Sequence, residues 1–267
     1  MTAPRGHFYD TREKRKARFL LAVLAGCMLV VHAARAESTK GAVDYSLYAQ
    51  VLDAYVNGDG RVDYRGLKAD MEKLNAFVRQ VEEADISAWT PVEQKAFWIN
   101  AYNAITLKTV ADAYPVKGIR RINFGLVWEI PRRAAGQRLS LGHIEHKVLR
   151  PLGDPRIHFA INCASIGCPK LPNKPFYPDT LDARLDEEAR RFINDGAKVR
   201  MDKDQNVLYL SSIFHWFNKD FLVAAGNFKE YILPYIVKEE DAQYLKSNDM
   251  KIKFLDYDWG LNAQDDN

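Results

Sequence analysis

The stretch from Thr90 to Pro115 constrains this chain more than any other. Thr90, Pro91 and Glu93 make a capping box with proline in the first turn, which fixes a helix start. Pro115 predicts its end near Ala113. In between, Phe97, Trp98, Ile99, Ala101, Tyr102, Ala104, Ile105 and Leu107 cover nearly the whole circumference. A helix apolar all round has to be enclosed by its own domain. Asn100 and Asn103, one turn apart, go in with it. An unpaired buried amide costs about 1 to 3 kcal/mol, so these two side chains brace neighbouring loops or line a pocket.

Around this helix the pattern is mixed. Asp44 to Val56 reads as a short amphipathic helix and Tyr64 to Glu83 as a second one. Between them Asn57-Gly58-Asp59-Gly60 imitates a calcium loop, but Tyr55 and Gly66 occupy the first and last ligand positions, so a plain turn is expected. Ser140 caps a helix LGHIEHKVLR whose apolar stripe is Leu141, Ile144, Val148 and Leu149. Residues 156–162 alternate as a strand, with His158, Ala160 and Asn162 on one face. Thr180 is placed to cap a helix over 181–194, and residues 198–201 and 207–210 flank a hairpin turn. An aromatic segment at 214–221 includes His215 and Asp220; a helix over 228–237 and a strand over 252–255 follow. No regular βαβ rhythm joins these pieces, which predicts an α+β fold: one domain of helices packed on short, mostly antiparallel strands.

Residues 1–36 read as a signal peptide, leaving a single globular domain over 37–267. Arg12, Lys14, Arg15, Lys16 and Arg18 precede an apolar run from Phe19 to Val31, and Ala34-Arg35-Ala36 supplies a small-x-small cleavage site. Leu24-Ala25-Gly26-Cys27 offers an alternative, a lipoprotein anchored at Cys27. Either route exports the domain to the periplasm or beyond, and the membrane is met only through a retained or lipidated N-terminus. The leader holds seven Lys or Arg against two Asp or Glu, and the remainder 31 against 33. The basicity therefore belongs to the leader, and nucleic acid is dropped as a partner. Without the leader two cysteines remain, an even count that suits a disulfide in an oxidising compartment.

Those two, Cys163 and Cys168, sit in RIHFAINCASIGCP, residues 156–169. Three chemistries stay open. In the first, Cys163 is a nucleophile, with His146 as base and His158 as substitute. Asn100, Asn103, Asn162 or Asp258 would orient the ring, and backbone amides of 164–167 would cradle an oxyanion. The product is an exported thiol-dependent hydrolase or acyl transferase acting on amide or ester bonds of a peptide or envelope component. In the second, Cys163 and Cys168 form a structural disulfide in a non-catalytic envelope or interaction module. In the third, both sulfurs join two of His143, His146 and His158 around zinc, although the spacing fits no standard finger. Glu145 interrupts the apolar stripe of its helix. Burial there raises a carboxyl toward the range of a proton carrier unless an arginine or backbone amides anchor it. No cofactor is expected.

Four segments, Ala96-Phe97-Trp98-Ile99-Asn100-Ala101-Tyr102-Asn103-Ala104, Ile144-Glu145-His146, His158-Phe159-Ala160-Ile161-Asn162-Cys163-Ala164-Ser165 and Asp256-Tyr257-Asp258-Trp259, together resemble the domain of unknown function 547 family. The resemblance runs from about Tyr45 to Asn262. It brings no established catalytic residues. A papain-like or transglutaminase-like arrangement, in permuted order, follows from it only as fold-level analogy.

Overall fold

The computed structural model describes residues 43–264. The expected leader, its cleavage site and Cys27 lie outside the described residues. Among the described residues no helix is long and apolar enough to cross a membrane.

Helix α1 (Tyr45–Tyr55) is capped by the Asp44 side chain. The turn after it is plain: Asn57 Oδ1 accepts from the amides of Asp59 and Arg61. The single helix expected over 64–83 is in fact two, α2 (Tyr64–Ala69) and α3 (Glu72–Glu83). Asp70 leaves the helical path and accepts the Tyr55 hydroxyl at 2.9 Å, a tertiary bond that a periodicity argument does not see. Helix α4 (Pro91–Ala113) carries the capping box as read, and every residue from Ala96 to Leu107 is buried.

A 3₁₀ segment (Ile119–Gly125) and a hairpin of β1 (Arg132–Ala134) and β2 (Gln137–Leu139) follow, the hairpin unanticipated. Ser140 caps α5 (Leu141–His143), which opens directly into a π-helix at Ile144–Leu149. The expected strand over 156–162 does not exist. Residues Pro155–Phe159 form a 3₁₀ turn, because Asp154 caps it and Pro155 occupies its first position. That start signal, Asp-Pro, outweighs the alternation that suggested a strand.

Helix α6 (Leu181–Ile193) starts without help from the Thr180 side chain, contrary to expectation. Strands β3 (Val199–Asp202) and β4 (Val207–Leu210) pair as the predicted hairpin. Helices α7 (Ser212–Trp216), α8 (Asn218–Ala225), α9 (Phe228–Ile232) and α10 (Glu239–Ser247) come next, α9 ending five residues short of the expected 237 and α10 unforeseen. Strand β5 (Lys251–Phe254) adds in parallel beside β4. Helices with short strands in two small sheets make the fold α+β.

Two cores form, and both belong to one unit of the chain. The first surrounds α4 with side chains of α1 to α3, including Val51, Leu67, Leu74 and Phe77. The second is aromatic: Phe159, Phe192, Phe214, Phe221 and Tyr231 pack ring against ring, with Phe214 and Phe221 centroids 4.7 Å apart. The segment 159–164 crosses between them, since Phe159 belongs to the second core and Ala160, Ile161 and Ala164 to the first.

Candidate functional site

That crossing segment brings His158 and Cys163 into one pocket of about 210 Å³. Tyr102, Trp128, Glu145, His146, Phe217, Tyr257 and Trp259 complete most of its lining.

The cysteine loop is held by amides. Asn103 donates to Ala160 O at 2.9 Å and accepts from Asn162 N at 2.8 Å. Asn162 donates to Pro169 O at 2.7 Å and accepts from Ala164 N at 2.8 Å. Asn100 grips the backbone of Phe176 from both ends. All three amides expected near the chemistry therefore brace loops, and none is in contact with an imidazole ring. The chain's last segment closes the other side: Ile166 and Gly167 donate to the carbonyls of Gly260 and Asp258, and Asn262 donates to Ala164 O. Of the expected oxyanion cradle at 164–167, the Ala164, Ile166 and Gly167 amides are therefore already engaged. Asp258 accepts from Gly260 N and orients no histidine.

Cys163 and Cys168 are joined as a disulfide, with Cα atoms 6.2 Å apart. The Tyr257 hydroxyl lies 3.1 Å from Cys163 Sγ, 3.2 Å from Cys168 Sγ and 2.9 Å from Ser165 Oγ, while Ser165 Oγ is 2.9 Å from Cys163 Sγ. Burial raises the Tyr257 pKa, so this phenol keeps its proton and remains a donor. Gly167 permits the contact, because a Cβ there would meet the Tyr257 ring at 2.8 Å. The zinc set left open by the sequence does not assemble: among the described residues no three His, Cys, Asp or Glu side chains are grouped to hold a metal ion.

The opposite wall is charged. His158 is buried, stacks on Phe217 with centroids 4.0 Å apart, and places Nε2 2.8 Å from Asp220 Oδ2. Asp220 also accepts two bonds from Arg150, at 2.7 and 2.8 Å. Burial pushes the Asp220 pKa up, but the hydrogen bonds from Arg150 and His158 outweigh it and hold the carboxyl below its usual range. Burial depresses the His158 pKa, only partly offset by Asp220. A neutral ring beside an ionised carboxylate carries its proton on Nε2, which donates to Asp220. Nδ1 is then a bare lone pair, buried and without a hydrogen-bond partner.

Glu145 is buried on the π-helix and accepts from the Tyr102 hydroxyl at 3.3 Å. Burial raises its pKa to about 7, against the opposing pull of Tyr102 and Arg150. The extra residue of a π-turn re-aims side chains and recurs at functional sites. His146 lies on the same turn with its ring exposed and Nδ1 3.3 Å from Arg150 Nη1. Burial and Arg150 lower its pKa, and no carboxylate accepts from its ring among the described residues.

Reasoning from sequence missed Asp220, Arg150, Tyr257 and Ser165. Asp220 stands 62 positions from His158, so no local spacing announces the pair. Tyr257 falls within the Asp256-Tyr257-Asp258-Trp259 segment, which carried a resemblance but no role.

No match was found among curated proteins or among solved structures. Residues 86–193, which contain α4, the π-helix, His158 and the cysteine loop but neither Asp220 nor Tyr257, match the sequence model described as "Protein of unknown function, DUF547".

Proposed function

We propose that this protein is an exported thiol-dependent hydrolase or acyl transferase acting on amide or ester bonds of peptide or envelope substrates. Cys163 is its nucleophile, His158 the base and Asp220 the carboxylate that orients the ring. The observation supporting this reading is the His158 imidazole. Its Nε2 is fixed on Asp220, its Nδ1 is unpartnered, and it lines the same pocket as Cys163. A buried acceptor without a donor is costly for stability and suits a base waiting for a thiol proton.

In the disulfide state Cys163 cannot attack. A dithiol reductant gives up two electrons and two protons to the bond, leaving Cys163 and Cys168 as thiols and the reductant as a disulfide. The Cys163 proton then passes to His158 Nδ1, the thiolate adds to the acyl carbonyl, and the leaving amine or alcohol departs with that proton. Water, or an acceptor amine or alcohol, cleaves the thioester with His158 again as base and returns the thiol. The Tyr257 and Ser165 hydroxyls beside Cys163 Sγ stabilise its thiolate as donors, and the Cys163 amide, which donates to Cys168 Sγ in the bonded form, is a donor for the oxyanion once that sulfur moves.

A second reading, a non-catalytic module stapled by its disulfide, is favoured by the Cys163–Cys168 bond itself. Alkylation by iodoacetamide after dithiol reduction separates the two. The enzyme reading expects Cys163 to label selectively below pH 7, at least tenfold faster than Cys168, and Asp220→Asn to slow that labelling about tenfold. Equal labelling of both thiols, each with an ordinary pKa of about 8.5, would leave only the staple. N-terminal sequencing of the protein from the cell envelope is expected to begin at Glu37; a lipidated Cys27 or an uncleaved leader would replace that expectation.

A further inference from the structure

A second hollow, of about 470 Å³, adjoins the pocket and is lined by Lys117, Gly118, Arg120, Arg121, Trp259 and Gly260. Trp259 lines both spaces. Its ring is packed on the pocket side by Tyr257 at 4.5 Å and Trp216 at 5.7 Å, while Arg120 lies over it with Cζ 4.9 Å from the centroid. The lining contains three cations and no acidic side chain. None of Lys117, Arg120 or Arg121 forms an ion pair with a carboxylate among the described residues. The segment from Lys117 to Arg138 holds six Lys or Arg against one Glu, while the other residues after Ala36 hold 25 against 32. Three cations and no acid around one hollow, in a domain with an acidic surplus elsewhere, favour an anion. The Arg120 guanidinium, stacked over Trp259, is a planar fork of donors of the kind that pairs with a carboxylate through two hydrogen bonds.

We infer that this hollow is a carboxylate-binding subsite and that the substrate is an acidic peptide, whose reacting carbonyl enters the pocket while a neighbouring Asp or Glu side chain sits across Trp259 on Arg120 and Arg121. The inference rests on the proposed hydrolase reading for the word substrate, and on charge and shape alone for the subsite.

The test uses the full chain carrying Cys163→Ser, with fluorescein-labelled hexapeptides that differ only in two Glu replaced by two Gln. Fluorescence anisotropy at low ionic strength is expected to show the Glu peptide binding at least tenfold tighter. The preference should collapse toward unity at 1 M salt, where screening falls to about 3 Å. Arg120→Gln with Arg121→Gln should abolish it, while Arg120→Lys, which keeps the charge, should retain most of it. Equal binding of the two peptides, or a preference that survives the double substitution in a variant with unchanged circular dichroism, overturns the subsite. Iodoacetamide labelling of the reduced wild-type chain is read separately. Unselective labelling together with a strong Glu preference removes the acyl chemistry and keeps the carboxylate site; selective labelling without the preference does the reverse.

Discussion

The two walls of the pocket are held in different ways. The cysteine side is neutral: Asn103, Asn162 and Asn262 tie loop carbonyls and amides to helix α4 and to the chain's last segment. The histidine side is ionic, with Asp220 gripped by Arg150 and His158, and with Glu145 buried nearby. An amide network keeps its geometry across the whole working range of pH, whereas the ionic wall changes its proton content near neutrality. On the proposed reading, the nucleophile is therefore held by groups that do not titrate, and the base sits among groups that do. The difference separates position, which a catalyst needs constantly, from charge, which it needs to change.

Removing Asn103 should break this contrast most severely. Asn103→Ala leaves the Asn162 amide and the Ala160 carbonyl buried without their partner, at a cost of about 2 to 5 kcal/mol for the two groups and the lost packing. Urea midpoints should show that loss equally at pH 5 and pH 9; a loss confined to one end would mean the neutral wall is coupled to titration.

Glu145→Gln should come next and should depend on pH. The folded-state pKa of about 7 stands above the ordinary glutamate value of 4.5, so the folded protein holds the proton more tightly. That favours folding fully below the unfolded value, and the advantage disappears as pH rises through 7. The wild type should lose on the order of 3 kcal/mol between pH 4 and pH 8 from this group, with the glutamine variant flatter by that amount. The lowered His158 pKa acts in the opposite sense, removing stability as pH falls below 6.5. Denaturant titrations across pH 4 to 9 resolve the two, and parallel curves for wild type and variant would show that Glu145 does not titrate as its burial implies.

The smallest effect is expected where the walls meet. Gly167→Ala drives a methyl into the Tyr257 ring, and displacing that packed ring costs about 1 to 2 kcal/mol. The measurement is the labelling rate of Cys163 after reduction, expected to fall several-fold as the Tyr257 hydroxyl withdraws from the sulfur. An unchanged rate would confine Tyr257 to packing.

What the sequence made legible follows from range. Helix α4 was readable to the residue, since its cap, its proline limits and its apolar surface are all local. The burial of Asn100, Asn103 and Glu145 followed from the same periodicity. The pairing of Cys163 with Cys168 was one of three open readings, separated by only a few residues. Hidden were features that depend on tertiary partners: the break at Asp70, the π-turn that carries Glu145, and Asp220 as partner of His158. The 3₁₀ turn at Pro155–Phe159 was locally encoded by Asp154-Pro155, yet alternation over seven residues masked it. Short segments satisfy two periodicities at once, and then the cap decides.

The closing segment from Asp258 to Gln264 threads back beside the cysteine loop and the first turn of the domain. A ribosome-bound or partly translocated chain thus has its thiols and imidazole without the frame that aligns them. On the proposed reading, a chain lacking Tyr257 and the carbonyls of Asp258 and Gly260 would lose both the hydroxyl beside the sulfurs and the partners of the Ile166 and Gly167 amides, so the loop that carries Cys163 is aligned by residues about ninety positions further along the chain.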